Sequence, residues 1–329
     1  MKLLAALLIL PLLWPAGSAA PALNPVEITE WTVPWAESRP RDPYVGPDGR
    51  IWFVGQRADY VAYLNPQSGE FKRFELEEGA GPHNLIVDRQ GQVWYAGNRA
   101  AHIGRLDPNT GEITKYPTPE GVRDPHTLIF DRNGDIWFTA QGSNYVGKFT
   151  PADGRMQVVR VPTANARPYG IVIDSKNRPW FNEFGTNKIA TVDPQTMQLR
   201  EYTLPHADAR SRRIAVTSDD RVWYVDYARG YLGRLDPATG QVQEWAAPGG
   251  ASSRPYAMTV DERDRLWFVE SGVQPNRLVG FDPRTNQFFS STEIESGGGT
   301  VRHMVYHEPT RAIWFGTDTN TIGRARITE

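Results

Sequence analysis

The chain contains no cysteine. That excludes disulfides and lipid attachment through an N-terminal cysteine, so an exported form must hold itself together by core burial alone. A charge imbalance is missing too. With 36 basic against 38 acidic residues, there is no basic footprint for nucleic acid. No segment keeps a helical period over three turns, and no Gly-x-Ser-x-Gly elbow, phosphate loop or other nucleophile motif occurs. The N-terminal apolar run, Leu3 to Trp14, is too short to span a bilayer comfortably. It follows Lys2 and precedes small residues from Gly17 to Ala22, so residues 1–20 read as an export signal cleaved after Ala19, Ala20 or Ala22. A periplasmic or secreted protein, free of the membrane and monomeric, is expected.

What the chain has in quantity is turns and tryptophan. Glycine (30) and proline (26) are frequent, as many tight turns require. Trp52, Trp94, Trp137, Trp180, Trp223, Trp267 and Trp314 recur at spacings of 42, 43, 43, 43, 44 and 47, each in a phrase such as GQVWYAGN. A period of this size made only of short strands is the signature of a propeller blade. One copy reads through as four strands: PHNLIVDRQG, QVWYAGN, HIGRLDPNTG and EITKYPTP, punctuated by Asp-Pro and Gly turns. The last copy lacks its fourth strand, and VEITEWTVP from Val26 resembles the missing piece. The fold class expected is all-β: a seven-bladed β-propeller of four-stranded blades spanning 26–329 as one domain. The N-terminal strand closes the last blade and removes two exposed edges. The tryptophans then pack between neighbouring blades.

Such a fold leaves function open, so the question is which positions face the central channel. The start of each first strand and the end of each second strand must share one face. Eleven residues before the tryptophans stand Arg41, His83, His126, Tyr169, Arg212, Tyr256 and His303. Thirteen before are Arg39, Asp124, Arg167, Arg210 and Arg254; three after are Glu183, Asp226 and Glu270; four after are Asn98, Gln141 and Asp318. Arg167 with Glu183, Arg210 with Asp226 and Arg254 with Glu270 read as ion pairs within blades. Arg39 and Arg41 have no acid opposite them. The half of the ring carrying His303, Arg41, His83 and His126 therefore reads as the site. Histidine suits proton abstraction near neutral pH, and a nearby carboxylate can orient it or hold a divalent metal.

The phrases IWFT, NKIATVDP, HIGRLDPNTGEITKYPTP and ARPYGIVID resemble the streptogramin B lyases, the virginiamycin B lyase family, from about Val26 to Ile327. The resemblance implies elimination at an ester of a cyclic depsipeptide, with a histidine base and Mg2+. It places His303 on the family's general base and Asp318 on its last acid. Tyr256 stands where the family has another histidine, and Val301 where it has a glutamate. A second placement puts His83 and His126 on the paired histidines, Asp124 on the glutamate and Gln141 on the final acid. Both placements stay open at this point, with Asp124 or Asp318 as the metal ligand.

The expected function is an exported propeller enzyme that opens a cyclic ester or related carbonyl compound. His126 or His303 is the base, with His83 beside them. Arg41, Arg39, Tyr169, Tyr256, Asn98 and Gln141 line the binding face for a small molecule or cyclic peptide. Two other readings are a non-catalytic ligand- or protein-binding propeller and a lactonase-like metal hydrolase.

Overall fold

In the computed structural model the described residues are 23–328, and the export signal read in residues 1–20 lies outside them. Twenty-eight strands form seven antiparallel four-stranded sheets, six of them running in chain order from the channel outward. The seventh is ordered Glu27–Thr32, Thr321–Arg326, Ala312–Gly316, Met304–His307, so the N-terminal strand is its outer edge. The expected closure is observed, in register from Glu27 opposite Arg326 to Thr32 opposite Thr321. Asn320 reinforces it by donating to the carbonyls of Val33 (2.9 Å) and Trp35 (3.0 Å). Trp31 stacks on Trp314 with ring centroids 5.6 Å apart.

Position within the blade explains the composition of each strand. A second strand is covered by the neighbouring blades on both faces, so Val93–Gly97 (VWYAG) is buried throughout. An outer strand faces solvent, and Ile113–Pro117 (ITKYP) is half-buried or exposed at every residue. The tryptophans pack across blade boundaries: Trp94 lies 5.7 Å from Phe149 and Trp223 lies 5.8 Å from Phe281. Each indole also needs a partner for its N–H. Six residues upstream, Asp88, Asp131, Asp174 and Asp261 accept from Trp94, Trp137, Trp180 and Trp267 at 2.9 to 3.2 Å. The same aspartates close the turn before the tryptophan strand; Asp88 accepts from the backbone of Gln90 (3.0 Å) and Gln92 (2.9 Å). In these four blades Asp and Trp form one hydrogen-bonded device; in blade five Thr217 accepts from Trp223 at 3.2 Å instead, and the Trp314 N–H has no partner among the described residues.

Removing residues 1–32 is expected to open the ring. The strand Thr321–Arg326 would become a free edge and Trp314 would lose its stacked partner. Size-exclusion chromatography should show aggregation and a lowered melting temperature. A truncated chain that stays monomeric with an unchanged melt would mean that closure adds no stability.

Candidate functional site

A deviation in the inner strands builds the site. In six sheets the pairing of first and second strands slips by one residue; in blade two Pro82 opposes Gly97, yet Leu85 opposes Tyr95. A bulge of this kind breaks alternation, so two consecutive side chains turn toward the axis instead of one. The pairs Arg41-Asp42, His83-Asn84, His126-Thr127 and Arg212-Arg213 arise in this way.

These side chains close on one another at the axis. Arg41 donates from Nη1 to Nε2 of His83 at 2.9 Å. Since arginine only donates, His83 carries its proton on Nδ1, which is buried and unpartnered. The His83 ring packs 3.5 Å from His126, which lies 4.2 Å from Tyr169, measured between centroids. Nδ1 of His126 is 2.9 Å from Oγ1 of Thr127. The hydroxyls of Tyr169 and Tyr256 are hydrogen-bonded. Asp42 is the carboxylate at the centre. It lies 3.4 Å from Nε of Arg41, 3.3 Å from Nη2 of Arg213, and accepts from Asn84 at 3.0 Å. Arg213 also donates to the Arg302 carbonyl (2.9 Å) and to Thr127 (3.3 Å).

His303 stands apart from the stacked histidines. It is half-buried and lines a channel cavity of about 300 Å3 together with Asn84, Thr127, Arg213 and aliphatic side chains such as Ile173 and Val260. Its Nδ1 has no partner. A larger cavity of about 610 Å3 lies at the seam of the last and first blades and contains none of the axial residues.

Burial sets the protonation states. It disfavours the charged imidazole of His303 and brings its pKa down to about 4, although Asp42 pulls the other way. Burial and the charge on Arg41 hold His83 well below its usual range, and burial with Arg213 and Arg41 does the same for His126. All three are therefore neutral at pH 7. Burial pushes the Asp42 carboxyl up, but Arg41, His303, Arg213 and the Asn84 hydrogen bond outweigh it and hold it below the usual carboxylate range.

Several expectations require correction. The ring is not divided into a site half and a clamp half, because the axial cluster runs from Arg41 through Tyr169 to Arg212 and Tyr256. Arg39 and Arg41 do have acids: Nε of Arg39 is 3.6 Å from Asp318, and Arg41 meets Asp42. The proposed pairs within blades are replaced. Asp226 pairs with Arg229 (3.2 Å) and Glu270 with Arg277 (2.6 Å), while Glu183 bonds Thr186 (3.1 Å). Among the arginines thirteen before the tryptophan, Arg39, Arg167 and Arg254 have φ between 42° and 54°, a left-handed backbone that breaks the strand alternation, and Arg210 donates to the carbonyls of Ala207 and Ala209. Asp124 is a loop cap, accepting from Gly142 and from both the backbone (2.9 Å) and hydroxyl (2.6 Å) of Ser143. Asn98 donates to the carbonyl of Pro125 (2.9 Å) and ties blade two to blade three, and Gln141 is half-buried at the rim.

The magnesium implied by the resemblance is a poor match for these donors. Asp124 already accepts from three N–H or O–H groups, Asp318 faces Arg302 and Arg39, and Asp42 faces Arg41 and Arg213. Among the described residues, no three His, Cys, Asp or Glu side chains are grouped to hold a metal. The residues present do not fit a magnesium ion, nor do Asp318, Asp124 and Asn98 converge as a lactonase calcium site requires.

Sequence reasoning missed Asp42, Asn84, Thr127 and Arg213. They lie ten residues before the tryptophan, where strict alternation points a side chain away from the channel. The available signal was polarity, since this column is polar in blades one, two, three and five.

Comparison with known proteins agrees with this architecture. No curated protein sequence matches the chain. A streptogramin B lyase structure is 28% identical, with TM-score 0.82, covering 92% of this chain and 98% of its own. Virginiamycin B lyase from Staphylococcus aureus is 25% identical, with TM-score 0.83, covering 92% and 99%. The same values hold for its catalytically inactive alanine-for-histidine variant, solved with quinupristin. Hydrazine synthase of Kuenenia stuttgartiensis, 11% identical with TM-score 0.75 over 90% and 97% of the two chains, shares the fold alone. The Virginiamycin B lyase family profile covers residues 26–325, and the chain belongs to that family.

Proposed function

We propose that the protein is an enzyme of the lyase family's type, opening a cyclic ester by proton abstraction and elimination with His303 as base. The observation that carries this reading is His303 itself. It is a neutral imidazole with an unpartnered nitrogen, set in the wall of the channel cavity. A base needs an unengaged nitrogen and a pKa below the working pH; His303 has both, and its half-buried ring lines the cavity although Nδ1 itself is covered. It takes the proton from the carbon next to a carbonyl. The electron pair of that C–H bond forms a C=C double bond, the ester C–O bond breaks, and the ring oxygen departs as a carboxylate. No water is consumed. Negative charge that develops on the carbonyl oxygen and the leaving carboxylate is met by Arg213, which lines the same cavity as His303, rather than by a metal.

His126 is less suited to the role, being enclosed between His83 and Tyr169 with its Nδ1 engaged by Thr127. The hydrophobic N-terminal segment, read as an export signal, supports a place in the periplasm or the exterior, where the protein would meet small cyclic peptides.

Incubation with a type B streptogramin followed by mass spectrometry tests the reading. A linear product of unchanged mass supports elimination, and a product heavier by one water assigns a hydrolase instead. No product would favour the non-catalytic binding reading. That outcome would fit Tyr256 and Val301, both buried in the core where the family's pattern has a histidine and a glutamate.

A further inference from the structure

The axial cluster carries more positive than negative charge. Arg41 and Arg213 are 5% and 3% exposed and share one carboxylate, Asp42, itself 1% exposed. Arg212 has no carboxylate partner among the described residues. Its guanidinium is enclosed by rings instead: Tyr256 at 3.8 Å, Tyr227 at 4.4 Å, Phe184 at 4.5 Å and Tyr169 at 5.3 Å. Nε and Nη2 of Arg41 and Nε of Arg212 are buried without a hydrogen-bond acceptor. Buried cations in excess of their anions are costly, and aromatic faces offset only part of that cost.

Two things can supply the missing anion. One is internal. The guanidiniums of Arg212 and Arg213 each lie 5.3 Å from the Tyr169 ring, whose hydroxyl bonds that of Tyr256. A buried phenol set among cations gains by giving up its own proton. The other is external, since Arg212, Phe184 and Tyr227 are half-buried and stay open to the face of the ring.

We propose that Arg212, framed by Phe184 and Tyr227, anchors one carboxylate of a ligand, with the Tyr169 hydroxyl as its internal rival. With Tyr169 protonated, the excess charge of Arg212 and Arg41 is available to the ligand. With Tyr169 ionised, the phenolate occupies that charge and the carboxylate is expelled. Burial pushes Tyr169 up, but Arg212, Arg41 and Arg213 outweigh it and bring it down to about 8; burial and the Tyr169 charge push Tyr256 up. The other titratable groups facing the pair are Tyr227, which packs on Tyr256, His126 on the adjoining inner strand and, beyond Arg41, His83 and Asp42. Both histidines are neutral through this range and Asp42 is ionised, so the switch belongs to the tyrosine. The proposal deepens and rests on the elimination reading, whose product is a carboxylate, but its test involves no turnover.

The experiment is a spectroscopic titration of tyrosinate in the folded protein, with and without acetate. One tyrosine should ionise below the ordinary value of about 10. Acetate should move that step upward, and acetate affinity should fall about tenfold per pH unit above it, as linkage requires. Tyr169→Phe should lose the early step and bind acetate without this pH dependence. Arg212→Met, checked for folding by near-ultraviolet circular dichroism, should lose acetate binding and shift the step upward. A titration with no early tyrosine step, or a step that acetate leaves in place, overturns the proposal. Failure to cleave a streptogramin while acetate still moves the step would refute the elimination reading and leave the anion site standing.

Discussion

His303→Ala is expected to lower streptogramin turnover by about 10²–10⁴-fold, the usual worth of a positioned general base. Substrate binding should change little, because His303 makes no hydrogen bond through Nδ1 that would reorganise the site. His126→Ala should act differently. Its ring fills the space between His83 and Tyr169, so its loss mainly creates a cavity and lowers the melting temperature. The pH profile separates the two roles. The imidazole of His303 is the active form when neutral, and burial lowers its pKa to about 4. The acid limb of kcat/KM should therefore fall through about pH 4 rather than near the free-histidine value of about 6.5. A limb near 6.5, or full turnover in His303→Ala, would remove His303 from the mechanism.

Asp42→Asn is expected to be the most damaging polar substitution in the fold. It leaves Arg41 and Arg213, both nearly inaccessible, without a counter-charge. Breaking a buried pair in this way costs about 3–5 kcal/mol. In a domain of this size that lowers the melting temperature by something on the order of 10 °C. The pH dependence has a definite sign. Because the folded carboxyl lies below its unfolded value of about 3.9, its stabilisation is complete above that value and is lost only as pH falls further. His303 is a histidine with a lowered pKa. The unfolded chain binds more protons than the native one between about 6.5 and about 4, so stability falls as pH drops through that window. Melting curves at pH 7 should thus show the full deficit of Asp42→Asn, with wild-type acid sensitivity above pH 4 belonging to histidine. Equal melting temperatures for wild type and Asp42→Asn at pH 7 would mean that the two arginines find another counter-charge.

The two predictions draw on different levels of the molecule. His303 was legible in the sequence because it falls in the same column as His83 and His126. Its distinct role was not, since a column position says nothing about which histidine lines an open cavity and which are stacked shut. Asp42 was invisible for a backbone reason. The inner-strand bulge turns the residue after the column toward the axis, and a period-two reading assigns it to the other face. The rim arginines failed in the same way, since a left-handed φ at Arg39, Arg167 and Arg254 cannot be read from residue type. Asp124 was not legible either, because a carboxylate that caps a loop and one that holds a metal have the same letter.

What the sequence by itself determined is the architecture: seven blades, four strands in each, and closure by the N-terminal strand. Repetition carries that information, because each copy independently requires the same buried tryptophan and the same turn. What only the tertiary structure decided is the chemistry at the axis. There seven inner strands bring residues from opposite blades within hydrogen-bond reach, such as Arg213 and Asp42, 171 residues apart. Their charges, protons and access depend on a convergence that no local stretch of chain encodes.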